Sequence, residues 1–84
     1  GCGHVGAATA RVLTAAGFAV VACDDRPGTL TPEWVPGVYD RRLVDYKNLI
    51  KQCPIGPRDL VVVATAGHKS DIDVVIQAMR AKPA

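Results

Sequence analysis

The chain opens on Gly1-Cys-Gly3-His-Val-Gly6 and runs straight into an alanine-rich stretch. In a Gly-x-Gly-x-x-Gly turn the first glycine makes the tight bend. The second lets backbone approach a pyrophosphate, and the third lets a helix pack closely on a strand. The motif is weak alone, so its surroundings decide. Val5, Thr9, Val12, Leu13 and Ala16 fall at helical spacing, and Gly17 occupies the position that closes a helix. Phe18 to Cys23 is then a short apolar run, read as a buried parallel strand that ends at Asp24. An acid about 20 residues beyond the first glycine is the usual partner of a ribose hydroxyl.

The remainder alternates in the same way. Pro27, Gly28, Pro32, Pro36 and Gly37 make 25–37 a loop, with Trp34 as its apolar anchor. Tyr39 to Val44 reads as a short edge strand and Tyr46 to Cys53 as a short helix, broken by Pro54-Ile55-Gly56-Pro57. Leu60 to Ala64 is the clearest strand, apolar and β-branched, of the fully buried type. Thr65 to Lys69 is a turn. Ser70-Asp71-Ile72-Asp73 starts a helix with a capping pattern, Ile72, Val75, Ile76 and Met79 form its apolar stripe, and Pro83 ends it. Such alternation predicts an α/β fold, a Rossmann-like parallel sheet with flanking helices. A glycine turn of this kind normally follows a strand. The expectation over 1–84 is therefore a partial Rossmann-like domain, truncated at its first strand and at its C-terminus.

Composition excludes several classes. A net charge of +2 with no basic run gives nucleic acid nothing to bind. The apolar runs fall far short of a membrane span. Cys2, Cys23 and Cys53 form no Cys-x-x-Cys and no zinc spacing with His4 or His68, so they read as reduced thiols of a cytoplasmic protein. Cys2 reads as a small apolar filler, Cys23 and Cys53 as structural. No nucleophile elbow, P-loop lysine or carboxylate pair is present, and no catalytic residue is assigned.

His4 lies in the first turn and His68 in the turn after Leu60–Ala64. If that strand is the fourth in a 3-2-1-4-5-6 sheet, both histidines face the switch point where ligands bind. Thr65, Lys69 and Asp71 would stand nearby. Imidazoles and a hydroxyl in one crevice suit an anionic or metal-bearing ligand. A metal ion needs three or four ligands, which His4, His68 and Asp71 supply only if the fold gathers them, so no metal site is assigned. Ser70 and Asp73 are helix caps on this reading, and Asp71 suits the helix dipole.

Together, Gly1-Cys-Gly-His-Val-Gly6, Cys23-Asp-Asp-Arg-Pro27 and Val63-Ala-Thr-Ala-Gly-His-Lys-Ser-Asp71 resemble the C-terminal Rossmann domain of the XdhC/CoxI family. These are accessory proteins of xanthine dehydrogenase and related molybdenum hydroxylases. The resemblance covers nearly the whole chain. Its specific parts are the histidine inside the glycine turn and the Gly67-His68-x-x-Asp71 turn. It implies a chaperone-like maturation factor, not an enzyme. Such a factor binds the molybdenum cofactor, assists its sulfuration and hands it to the apo-enzyme. The implied partners are an apo molybdenum hydroxylase and a sulfur-donating desulfurase, and a homodimer is compatible with this. Gly1, Gly3, His4 and Gly6 match the first family motif, Asp24, Asp25 and Arg26 the second, and Thr65, Gly67, His68 and Asp71 the third. The cofactor-binding set drawn from them is Gly1, Gly3, His4, Gly6, Asp24, Thr65, Gly67, His68 and Asp71. The alternative is an NAD-dependent oxidoreductase fragment, which the Gly1–Asp24 spacing fits equally. Asp24 beside Arg26 would repel a 2′-phosphate, so that alternative favours NAD over NADP.

Overall fold

The computed structural model describes residues 1–65 and 71–84. Helix α1 (His4–Ala15) begins at Gly3, its N-cap residue. It closes where the glycine predicts. Gly17 takes φ +98°, Phe18 N–H donates to Leu13 C=O, and Gly17 N–H donates to Thr14 C=O. A left-handed residue with these two bonds satisfies the last carbonyls of the helix.

Strand β1 (Val21–Asp24) runs parallel to β2 (Asp40–Leu43), with Val21 opposite Asp40 and Asp24 opposite Leu43. The first strand is shorter than the apolar run, because Phe18 lies half-exposed ahead of it. A single 3₁₀ turn (Tyr46–Asn48), capped by the Asp45 carboxylate on Lys47 N–H, leads into α2 (Leu49–Gln52). Helix α3 (Asp71–Arg80) closes the fold. The result is the small Rossmann-like α/β arrangement expected, a parallel pair of strands with helices packed around it.

Three expectations need correction. Leu60–Ala64 forms no strand, and Leu60 and Val62 are exposed rather than buried. A strand exists only through a hydrogen-bonded neighbour. Among the described residues this segment has none. The predicted stripe of α1 also faces outward at Val5 and Val12, while Ala7 and Ala10 are buried. Small side chains let the helix axis approach the glycine turn, which valines at those positions would hold off. In α3, Val74 and Ala78 are buried, whereas Ile72, Val75, Ile76 and Met79 are exposed. The reason is the same: the face with an alanine packs close.

The core has two parts. Cys2, Ala7, Ala10, Ala22 and Val35 form one around the glycine turn. Val44, Tyr46, Leu49 and Val74 form the other, under α3. Val35 is fully buried at the end of the proline-rich loop, which stabilises the fold by about 2 kcal/mol and fixes the loop's course. Gln77 ties α3 to the second part: its Oε1 accepts from Ile50 N–H, and its Nε2 donates to Tyr46 C=O.

Candidate anion site at the glycine turn

The three glycines are not equivalent. A Cβ on Gly1 would stand 2.1 Å from the Ala64 carbonyl oxygen, and one on Gly6 would stand 1.9 Å from the Gly1 carbonyl oxygen. Both neighbours are backbone and cannot give way. A Cβ on Gly3 would meet only the Arg26 guanidinium, at 3.7 Å. Gly1 and Gly6 are therefore required by packing, whereas the open side of Gly3 is where a ligand could reach the backbone. Gly3 caps α1 with no side-chain hydrogen bond, and no acid lies in the first turn. The first N–H groups of a helix have no partner within it and favour an anion.

Asp24 holds the turn in place. Its side chain is fully buried. Oδ2 accepts from Cys2 N–H at 2.7 Å and from the Arg26 guanidinium at 3.0 Å, and Oδ1 accepts from Arg26 N–H and Nε, both at 3.0 Å. Burial opposes the charge, but the guanidinium and the Cys2 N–H outweigh it, so the carboxyl lies well below its usual range. The acid at the end of β1 thus acts on the glycine turn, 22 residues away in sequence. The carboxylate that the spacing offers to a ribose is taken up by these four bonds.

Trp34 clamps the same turn from the other side. Its indole N–H donates to Cys2 C=O at 2.6 Å, so Cys2 is held through both backbone groups. The His4 ring lies edge-on to the indole at 5.4 Å, and Arg11 stands over it at 5.7 Å while donating to Trp34 C=O. His4 itself is exposed at the first turn of α1. The Cys2 thiol is buried, and burial pushes it up from its ordinary value. It is a packing residue, as its place predicts. Trp34→Phe keeps the ring and removes the clamp. It is expected to cost about 1 kcal/mol, read as a lower urea midpoint with unchanged slope.

The third motif adjoins the first. A Cβ on Gly1 would lie 2.9 Å from Thr65 Cα, so the glycine turn touches the end of the 60–65 segment. Thr65 is buried, and its N–H and hydroxyl both donate to Asp71 Oδ1 at the start of α3. Gly1, Gly3, His4, Gly6, Asp24, Thr65 and Asp71 thus belong to one edge of the molecule. Gly67, His68, Lys69 and the Ser70 cap lie outside the described residues. Among the described residues no group of three His, Cys, Asp or Glu side chains is gathered for a metal ion, and no helix is long and apolar enough to cross a membrane.

Sequence reasoning missed three partners. Arg26 closes on Asp24, for which the two-residue spacing of opposite charges was the available signal. The Trp34 indole serves the glycine turn, which nothing local to the loop announces. Cys23 and Cys53 lie side by side, with Sγ atoms 3.4 Å apart; no spacing in the sequence signals that contact.

A parallel strand pair, a glycine turn opening a helix and an acid locked beneath that turn define a Rossmann-type domain. The chain belongs to the XdhC family: the family model for the XdhC Rossmann domain matches residues 1–84. Family membership carries an XdhC-type accessory role linked to molybdenum enzymes. No curated protein and no solved structure gives a match.

Proposed function

We propose that this domain takes part in maturing molybdenum hydroxylases by holding the phosphate end of the molybdenum cofactor at the glycine turn. The observation that carries this is the open side of Gly3 at the uncapped start of α1. The cofactor is a pterin bearing a phosphate, and the donors at the turn fit it: the first N–H groups of α1, which have no partner within the helix, and the His4 imidazole. Gly1, Gly3 and Gly6 shape the cradle, and His68 and Gly67 complete the set that the family motif contributes. When bound, the cofactor supplies the molybdenum chemistry of the recipient enzyme. The domain's own residues bind it and orient it for sulfuration and transfer to an apo-hydroxylase, with a desulfurase as sulfur donor. This is the work of a cytoplasmic chaperone. The NAD reading has less support, because it needs Asp24 free to accept ribose hydroxyls and all four of its described bonds are internal.

The test is binding of purified molybdenum cofactor by the full-length protein, its Gly3→Ala variant, and His4→Ala and His68→Ala. Gly3→Ala is expected to weaken binding about ten-fold or more while the melting temperature stays within a few degrees. Each histidine variant is expected to weaken it as well. Undiminished binding in all three removes the site from this domain. Binding of NADH, abolished by Gly3→Ala, with no affinity for the cofactor would establish the dinucleotide reading instead.

A further inference from the structure

We propose that Cys23 and Cys53 are a redox pair that closes into a reversible disulfide on reaction with a hydroperoxide. The Cys23 thiol donates to Cys53 Sγ across 3.4 Å, although the residues are 30 apart in sequence. Formation of a bond of about 2.05 Å asks the sulfurs to approach by roughly 1.4 Å. Both residues are partly exposed, so a small oxidant can reach them.

The surroundings set the order of events. Arg42 lies directly opposite Cys23 in the parallel ladder, and its charge acts on Cys53. The Cys23 hydrogen bond, then the Arg42 guanidinium, bring the Cys53 thiol down to about 6, against burial and the opposing charge of Asp40. Cys23 moves the other way, held protonated by the bond it donates and by burial. The sulfur drawn toward its thiolate form and the thiol that would resolve it are therefore 3.4 Å apart. Cys53 S⁻ attacks a peroxide oxygen and the O–O bond breaks. Cys53 becomes a sulfenic acid, and the departing oxygen leaves protonated as water or an alcohol. Cys23 sulfur then attacks the Cys53 sulfur, the S–O bond breaks, the Cys23 proton goes to the departing hydroxide, and water leaves. The two sulfurs together lose two electrons, which the peroxide gains. Cys2 takes no part, because it is buried, burial holds it as the thiol, and that thiol donates to Cys23 C=O.

The bond would tie the end of α2 to β1 one residue from Asp24, so it reports to the glycine turn through the strand that carries both. The test treats the full-length protein with one equivalent of hydrogen peroxide at neutral pH, followed by non-reducing proteolytic mapping. A peptide containing Cys23 joined to one containing Cys53 is expected, lost on adding dithiothreitol, with Cys2 still open to alkylation after denaturation. Cys23→Ser is expected to leave a Cys53 sulfenic acid that dimedone traps. Arg42→Gln is expected to slow closure several-fold at pH 7 with the fold intact. Peroxide treatment that leaves Cys23 and Cys53 free in the unsubstituted protein, or that modifies Cys2 first, overturns the proposal without reference to any variant.

Discussion

Gly6→Ala is expected to destabilise the protein by about 3 kcal/mol or more, and Gly3→Ala by about 1 kcal/mol or less, although the two positions share one motif. A methyl at Gly6 would stand 1.9 Å from the Gly1 carbonyl oxygen, far inside van der Waals contact. Relief would require Gly1 to move, and Gly1 is itself pressed against the Ala64 carbonyl, 2.1 Å from where its own Cβ would lie. The strain would spread from α1 through the glycine turn into the 60–65 segment. At Gly3 the backbone has φ −68°, which any L residue adopts, and the added methyl meets one flexible guanidinium. The cost there is the weaker N-cap propensity of alanine. Thermal melts followed by circular dichroism separate the two. Gly6→Ala should lower the midpoint by roughly 10–20 °C, whereas Gly3→Ala should stay within several degrees. A Gly6→Ala midpoint equal to the parent's would mean that the turn relaxes freely, and the division of roles among the glycines would fail.

That division explains why the sequence was legible in some places and not in others. Spacing alone located α1, its closure at Gly17, the pairing strand after Tyr39 and the short helix near Leu49, because local propensity and glycine conformation decide those features. It misjudged which faces are buried. Val5, Val12, Ile72 and Met79 are the apolar residues a helical period selects, yet Ala7, Ala10, Val74 and Ala78 are the ones inside. Closeness of approach, set by the glycine turn and by Gln77, overrode hydrophobic size. Leu60–Ala64 has every intrinsic property of a strand and no ladder, since pairing depends on a neighbour that no window of sequence describes. The glycine turn and the place of Asp24 beside it were legible, but the role of Asp24 was not: it supports the turn instead of reaching a ligand. The turn's other supports were not legible either, because Trp34 and Arg26 act through a backbone carbonyl and a carboxylate brought near only by the fold.

Asp24→Asn is expected to cost about 2–3 kcal/mol at pH 7 and to flatten the loss of stability on the acid side. The carboxylate is fully buried and accepts four hydrogen bonds, one from Cys2 N–H and three from Arg26. An amide in its place offers one oxygen and presents an N–H to donors that need an acceptor. The stranded guanidinium is 45% exposed and can turn to water, which keeps the cost below that of breaking a fully buried pair. The sign of the pH effect follows from the direction of the shift. The folded carboxyl titrates below its unfolded value of about 3.9, so its contribution is complete above that pH and is lost as pH falls toward the folded value. Urea midpoints from pH 7 to pH 3 test this directly. The parent should weaken steeply below about pH 4, while Asp24→Asn starts lower and declines less. Parallel curves for the two proteins would show that Asp24 carries no linked stability, and the glycine turn would then be held by Trp34 alone. The same substitution adds no atom on the open side of Gly3, although it releases the Arg26 guanidinium that faces it. Any loss of ligand binding would therefore follow from a loosened Cys2 backbone or a displaced Arg26 and should be recovered in part by conditions that stabilise the fold, which direct contact between Asp24 and ligand would not allow.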